Sequence, residues 1–246
     1  MNRIKSNNRT KKSMIYITGD KHGKFTSVKN FCMTFNTSKQ DILIILGDVG
    51  LNYFLDERDS IQKQNLSTLP ITFFCIHGNH EERPENISTY KTKQFNGGVV
   101  YYEEEYPNIL FAKDGQVYNL NGNNTLVAGG AYSVDKFYRI ENGMRWFESE
   151  LPDNKNKQDI LNGIKSHNNK IDIILSHTCP YKYIPVETFL PFIDQSKVDN
   201  SYELWLDKLL ELNCKWYCGH FHIDKIIDNL RFVFDDFIEL RNDENE

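Results

Sequence analysis

The chain of 246 residues has no apolar run of the roughly eighteen residues that a membrane-crossing helix requires. It also has no excess of positive charge, because 29 Lys and Arg stand against 34 Asp and Glu, a formal net charge of -5. A protein that packages nucleic acid is normally strongly basic. The two shortages argue against a membrane-spanning protein and against a binder of long nucleic acid. We therefore expect neither a membrane nor long nucleic acid as a partner.

Cysteine is scarce, with five residues in all. An odd number of cysteines without a secretory signal predicts reduced thiols and a cytoplasmic location, not a disulfide framework. Cys214 and Cys218 lie close together, but the second cysteine pair of a zinc ribbon is lacking. We therefore interpret the cysteines as small buried apolar residues.

The charge is distributed unevenly along the chain. Residues 1–13 contain five basic residues and no acidic one, so the remaining 233 carry a net charge of -10. We predict a basic N-terminal arm over 1–13, one domain over 14–240 and an acidic tail over 241–246. The arm is either a solvated extension or an electrostatic contact for nucleic acid.

Short apolar runs alternate with amphipathic stretches in the first part of the chain. Runs at 14–18, 41–46 and 71–76 predict buried strands, and helices are predicted over 25–35 and 57–66. This order favours a largely parallel α/β sheet. Residues 99–128 predict short antiparallel strands in a meander. Further on, the pattern predicts helices over 155–167 and 202–212 and strands over 171–175 and 215–218, with a last strand over 231–234.

Five of the predicted strands end at a cluster of polar residues. The carboxyl ends of strands in α/β sheets are where ligand sites gather. Asp20 and His22 are two positions apart, as are His220 and His222, and in an extended segment such pairs project to the same side. The clusters are Asp20-Lys21-His22, Gly47-Asp48, Gly78-Asn79-His80-Glu81, Ser176-His177 and Gly219-His220-Phe221-His222.

These clusters combine imidazole, carboxylate and carboxamide groups. Such ligands suit Mn, Fe, Ni or Zn ions without thiolates. Seven candidate ligands are too many for one ion that keeps an open position. They suit two ions that lie about 3.5–4 Å apart and share a carboxylate. Each histidine taken singly is ordinarily a structural residue, yet five of the seven fall in these blocks.

In order, the blocks D-x-H, G-D, G-N-H-E, H and G-H-x-H resemble the signature of the calcineurin-like metallophosphoesterases, from Asp20 to His222. The resemblance implies a four-layer αββα sandwich, in which two mixed β-sheets are flanked by helices. It also implies two divalent ions per chain, with Mn²⁺ favoured and Fe, Ni, Zn or Mg as alternatives. One ion would be held by Asp20, His22, Asp48 and His222, and the other by Asp48, Asn79, His177 and His220.

The resemblance further implies hydrolysis of a phosphomonoester or phosphodiester. A metal-bridging hydroxide at Asp48 would attack phosphorus, and His80 would donate a proton to the leaving group. A non-catalytic metal-binding scaffold is one alternative, although such proteins typically lose the proton donor or a ligand. A nuclease is another, but only the 1–13 arm offers it positive charge.

One departure concerns the substrate. Protein serine/threonine phosphatases of this family carry an Asp-Arg-Gly stretch shortly after Gly-Asp, whereas here no arginine follows Asp48 until Arg58. We therefore expect a small-molecule or nucleotide ester, with a phosphoprotein left open. The run over 129–135 resembles that of short bacterial and phage members. Arg139 or Arg145 could bind the phosphate or simply lie at the surface, and Tyr181 could form a wall of the substrate site.

Four further residues near the blocks keep two interpretations each. Ser133 and Asp135 either line the site or cap a turn. His77 either supports a ligand or packs in the core. Glu81 either orients a ligand or faces water.

Overall fold

Two mixed β-sheets form the centre of the protein in the computed structural model, which describes residues 13–189 and 195–241, without the side chain of Gln195. The predicted arm and tail lie outside the described residues except for Ser13 and Arg241. The first sheet contains β1 (Ile15–Thr18), β2 (Ile42–Ile45), β3 (Thr72–Cys75), β4 (Lys91–Phe95), β5 (Gly98–Tyr102), β6 (Ile109–Ala112) and β13 (Ile238–Glu239). The second contains β7 (Val117–Leu120), β8 (Asn123–Ala128), β9 (Ile173–Ser176), β10 (Lys215–Cys218), β11 (Lys225–Ile227) and β12 (Leu230–Phe232).

Parallel strands lie at the middle of each sheet, and antiparallel strands lie at the edges. The first sheet has the order β13-β1-β2-β3-β6-β5-β4, and β1, β2, β3 and β6 run parallel. The second has the order β11-β12-β10-β9-β8-β7, and β8, β9, β10 and β12 run parallel. Residues of β2 are buried on both faces, which explains its uninterrupted apolar sequence.

Helices cover the outer faces of both sheets. The helices are α1 (Thr26–Phe35), α2 (Glu57–Ser67), α3 (Lys136–Glu141), α4 (Asn154–Ser166) and α5 (Ser201–Leu206). Two of them begin at acidic N-caps: Asp56 accepts a hydrogen bond from the Arg58 N–H at the start of α2, and Asp153 forms a capping box with Asn156 at the start of α4. The predicted helix over 202–212 is α-helical only in its first half and continues as 3₁₀ turns over Asp207–Leu212.

Alternation along each central strand builds three apolar layers between the four layers of secondary structure. Ile44 of β2 faces inward and joins Phe74 and Tyr118 in the core between the sheets, where the two rings meet edge to face at 4.9 Å. Leu43 faces outward and packs with Val28 of α1. On the far side, residues of β9 and β10 pack with α4 and α5. The αββα sandwich is thereby confirmed.

The predicted meander is wrong in one respect: it is divided between the sheets. β5 and β6 pair antiparallel in the first sheet, and β7 and β8 do so in the second. The chain crosses between the sheets at residues 113–116 because both pairs present apolar residues to the shared core. The structure also adds three strands that the sequence did not predict. These are β4, β11 and β13, which are short or largely exposed.

Among the described residues, no helix combines the length and the apolar character that crossing a membrane would need.

Candidate metal centre

The polar clusters meet because parallel strands from both sheets end at one edge of the sandwich. The two loops of the first sheet are joined directly, since the backbone N–H groups of Lys21 and His22 donate to the Asp48 carbonyl at 3.1 and 2.7 Å. In the second sheet, the Gly219 N–H donates to the His177 carbonyl at 2.9 Å. Backbone hydrogen bonds therefore hold the strand ends together within each sheet.

Four of the predicted ligands lie in left-handed backbone conformation. The φ angles are 44° at His22, 46° at Asp48, 65° at His220 and 51° at His222. The prediction of an extended backbone for Asp20-Lys21-His22 and His220-Phe221-His222 is therefore wrong, because residues in left-handed conformation occur in both segments. Such conformations cost of the order of 1 kcal/mol or more for non-glycine residues and persist only where surrounding contacts hold them.

Glycines leave room for the carboxylates. A Cβ atom at Gly78 would overlap Asp48 Oδ1, and one at Gly219 would overlap Asp20 Oδ1. Both acidic side chains therefore pack directly on backbone, which is why glycine precedes Asn79 and His220.

One group of side chains forms around Asp20. The Nε2 atoms of His22 and His222 face each other at 3.1 Å, and His222 Nε2 lies 3.2 Å from Asp20 Oδ2. That oxygen is buried and lacks a well-aligned hydrogen-bond donor among the described residues. Two imidazole nitrogens and a carboxylate oxygen directed at one point form a set of donor atoms suited to a divalent cation.

A second group forms around Asp48. Its Oδ2 lies 3.6 Å from His177 Nε2 and 3.8 Å from His22 Nε2, so it stands between the two groups. Asn79 Oδ1 lies 2.8 Å from His177 Nε2. The His220 ring lies beside that of His177, with 5.0 Å between ring centroids.

These side chains fit a metal centre. Donor atoms of Asp20, His22 and His222 lie within 4.8 Å of one another, as do those of Asp20, Asp48 and His177. A third such group consists of His22, Asp48 and His80. The donors are oxygen and imidazole nitrogen, which suits several divalent ions. Whether His80 is a ligand or a proton donor stays a prediction.

Hydrogen bonds orient each carboxylate in the same way. Asp48 Oδ1 accepts from the His80 backbone N–H at 2.8 Å, and Asp20 Oδ1 accepts from the His220 N–H at 3.0 Å. Each side chain therefore uses one oxygen to hold a neighbouring loop and leaves Oδ2 for the centre.

Neighbouring groups fix the other ligands too. His177 Nδ1 lies 2.7 Å from the Leu46 carbonyl oxygen, and since only a protonated Nδ1 can donate there, Nε2 is left to face the centre. The Asn79 amide Nδ2 donates to Ser133 Oγ at 2.9 Å, which turns Asn79 Oδ1 inward. The sequence gives no sign of the Leu46 contact, because it involves a backbone oxygen 131 residues away.

Facing histidines keep both carboxylates ionised against the effect of burial. Burial acts to raise the pKa of Asp48, but facing His177 and other histidines outweigh it and hold that pKa well below its usual value. Burial opposes protonation of His177, yet Asp48 and Asp20 raise its pKa to about 9. Burial, reinforced by His177, lowers the pKa of His220 to about 3. The centre thus offers two anionic carboxylates to a cation.

The predicted substrate contacts are placed differently from one another. Arg139 is fully buried, and its Nη1 donates to Ser133 Oγ at 3.2 Å, so it adjoins Asn79. Arg145 is exposed, and its charge adds to that of Arg58 in lowering the pKa of Asp56. Tyr181 is 46% exposed on the 3₁₀ turn that follows β9. All three stay predictions as substrate contacts.

The structure decides between the interpretations for Ser133 and Glu81. Ser133 lies at the site, as its contact with Asn79 shows. Glu81 does not face water: it is fully buried, its Oε1 accepts from the Gly78 N–H at 3.0 Å, and burial raises its pKa to about 8. His77 is buried, and its carbonyl accepts from the Gly130 N–H at 2.8 Å. Glu150, which sequence reasoning missed, accepts from the Ser133 N–H at 3.2 Å.

Comparison with known proteins places the chain in a family. Residues 13–224 match the model of the calcineurin-like phosphoesterases. The chain therefore belongs to the calcineurin-like phosphoesterase family, whose members hydrolyse phosphate esters with divalent metal ions. A comparison with curated proteins finds no match.

Solved structures give more distant likenesses. A phosphopantetheinyl hydrolase from Mycobacterium tuberculosis is 14% identical with a TM-score of 0.39, over 90% of this chain and 88% of that one. A serine/threonine phosphatase from Saccharomyces cerevisiae is 16% identical with a TM-score of 0.33, over 93% and 69%. A protein of unknown function from Aquifex aeolicus is 13% identical with a TM-score of 0.34, over 70% and 82%.

Proposed function

We propose that the protein hydrolyses phosphomonoesters or phosphodiesters with two divalent ions, Mn²⁺ being favoured over Fe, Ni, Zn or Mg. The observation that carries the proposal is the position of Asp48 Oδ2 between His22 Nε2 and His177 Nε2, at 3.8 and 3.6 Å. A carboxylate oxygen between two sets of donors is what a shared, bridging ligand requires.

The ligands divide into two sets around that carboxylate. When bound, two divalent ions supply a reactive water at neutral pH and neutralise the charge on the phosphoryl oxygens. The protein fixes where the ester lies, because the ligand side chains are held by hydrogen bonds to their own loops. One set is Asp20, His22, Asp48 and His222, and the other is Asp48, Asn79, His177 and His220.

His80 is the proposed proton donor to the leaving oxygen. Its backbone N–H is tied to Asp48 Oδ1, and its ring lies edge-on to His22 at 5.3 Å between centroids. Burial lowers the pKa of His80, with Asp48 opposing and Arg139 reinforcing that shift. An anionic phosphate bound beside the ring acts to raise this pKa again, so substrate binding itself favours the protonated donor.

The proposed substrate is a small-molecule or nucleotide ester, with a phosphoprotein left open. Arg139 is the proposed phosphate contact, because its buried guanidinium contacts Ser133, which in turn contacts the proposed ligand Asn79. The charge of -10 over residues 14–246 speaks against long nucleic acid. The single domain and the cytoplasmic location stay predictions.

The test compares the wild type with His80→Ala and with His167→Ala, a matched histidine at the end of α4. With Mn²⁺, the wild type is expected to hydrolyse para-nitrophenyl phosphate or its bis ester. His80→Ala should lose roughly 10²–10⁴-fold in kcat while its metal content, measured by atomic emission, stays at two ions per chain. Wild-type inactivity with every divalent metal would favour the scaffold instead. Unchanged turnover in His80→Ala would remove that residue from the mechanism.

A further inference from the structure

A cavity of about 330 Å³ opens directly beside the candidate metal centre. His220 and His222 form one end of it, and His222 is 47% exposed at the side chain. Small-molecule sites fall in the range of about 300–1,000 Å³, so the cavity is large enough for the organic group of a small ester whose phosphate lies at the metals.

The wall of this cavity is mainly apolar. Its residues come from the segment after β8, the 3₁₀ turns after β9, the start of α5 with the residues just before it, and the loop after β10. Six of the lining residues are aliphatic or aromatic: Tyr132, Val134, Ile184, Phe189, Val198 and Phe221.

The polar residues of the cavity do not provide a second anion site. Apart from the two histidines they are Thr188, Asn200 and Glu203, and no lysine or arginine is among the described lining residues. A nucleoside di- or triphosphate would place further negative charge here without a countercharge and beside a carboxyl group.

Exposed apolar residues follow the cavity wall in the sequence. Val134 lines the cavity and is 53% exposed, and Phe137 and Tyr138 of α3, three and four positions later, have exposures of 57% and 62%. The α3 segment buries Arg139 and turns apolar side chains outward, which reverses the usual pattern of a surface helix.

We infer that the cavity beside His220 and His222 binds the organic group of the substrate, and that this group is apolar and uncharged. The inference rests on the proposed phosphoesterase function and narrows its substrate class to esters of hydrophobic alcohols. The apolar group is either an alkyl chain or an aromatic ring. Both gain from burial in such a cavity, since each methylene removed from water favours binding.

The test uses phosphate monoesters whose leaving groups are all primary alcohols. From ethyl to butyl to hexyl phosphate, kcat/KM with Mn²⁺ is expected to rise about three- to fourfold per added methylene. 2-Methoxyethyl phosphate, which matches butyl phosphate in length, is expected to behave like the ethyl ester. Hexyl phosphate and 2-phenylethyl phosphate distinguish an alkyl chain from an aromatic ring. The ester with the larger kcat/KM relative to ethyl phosphate identifies the group that the cavity prefers. A flat series, with butyl and 2-methoxyethyl phosphate equal, would overturn the inference.

Variants locate the effect in the cavity. Val134→Asn and Ile184→Asn are expected to reduce the gain in kcat/KM per added methylene, measured relative to ethyl phosphate with the same variant. Ile226→Asn is the matched control, since Ile226 is 65% exposed on β11 and does not line the cavity. An equal effect of the control would show that the loss does not come from the cavity.

Binding separates this inference from the proposed function. Calorimetric titration of the Mn²⁺-loaded protein with ethyl-, butyl- and hexylphosphonate is expected to give a Kd that falls with chain length. Graded binding without turnover of any ester would contradict the hydrolase and leave the cavity assignment standing. Turnover of the esters, with a Kd and a kcat/KM that do not change with chain length, would support the hydrolase and contradict the cavity assignment.

Discussion

Ser133 Oγ accepts a hydrogen bond from Asn79 Nδ2 at 2.9 Å, between residues that are 54 positions apart in the chain. The same hydroxyl oxygen accepts a hydrogen bond from Arg139 Nη1 at 3.2 Å, and Glu150 Oε1 accepts one from the Ser133 backbone N–H. With its Nδ2 donating to Ser133, Asn79 directs Oδ1 at His177 Nε2, 2.8 Å away. Ser133 is therefore a positioning residue for a proposed metal ligand.

Ser133→Ala is expected to weaken binding of one metal ion about tenfold, since groups that orient a ligand typically contribute 10–100-fold to affinity. Calorimetric titration with Mn²⁺ measures this without recourse to activity. Ser166→Ala, which alters an exposed serine of α4, is the control and should titrate as the wild type. Two unchanged binding steps in Ser133→Ala would contradict the positioning role.

Asp48→Asn tests the shared carboxylate. Asparagine keeps an acceptor for the His80 N–H and tolerates the φ of 46°, so the change removes charge with little disturbance of the backbone. Both ions are expected to be lost, and metal content should fall from two per chain to below one. Glu104→Gln, at an exposed surface ion pair with Lys91, should keep both. Loss of only one ion would mean that Asp48 does not bridge.

Gly78→Ala tests the close packing of backbone on Asp48. The added methyl group would overlap Asp48 Oδ1, and we expect a destabilisation of about 1–3 kcal/mol. We also expect loss of the rise in Tm that bound Mn²⁺ gives. Gly143→Ala is the control: its φ is +64°, but no atom lies within 4 Å of the new Cβ. It should lower Tm through the backbone alone and keep the metal-dependent rise.

Glu203→Gln tests a buried carboxyl group. Burial raises the pKa of Glu203 from 4.5 to about 7, so between these values the folded protein holds a proton that the unfolded chain has released. The wild type should therefore lose stability as the pH rises from about 5 to 8, by about 2–3 kcal/mol from this group. Glutamine abolishes that contribution. Urea denaturation at both pH values measures it, and an equal loss in the wild type and the variant would contradict the shift.

The strands that lead to the site could be predicted from the sequence closely. β1, β2 and β3 lie within the predicted runs because they are buried on nearly every side, which leaves a continuous apolar signal. β4 and β13 gave no such signal, since the first is largely exposed and the second has two residues. The assignment of β5 to β8 to two different sheets was also missed, because an antiparallel pair reads the same in either sheet.

Local sequence thus determined which residues carry the chemistry: Asp20, Asp48, Asn79 and the histidines follow buried strands, and their order identified the family. Tertiary structure decided how those residues are held. The left-handed turns, the choice of Oδ2 over Oδ1 and the contact of Ser133 with Asn79 all depend on loops from distant parts of the chain meeting at one edge. Such contacts leave no periodic pattern in the sequence, because each is a single hydrogen bond whose partner is chosen by packing.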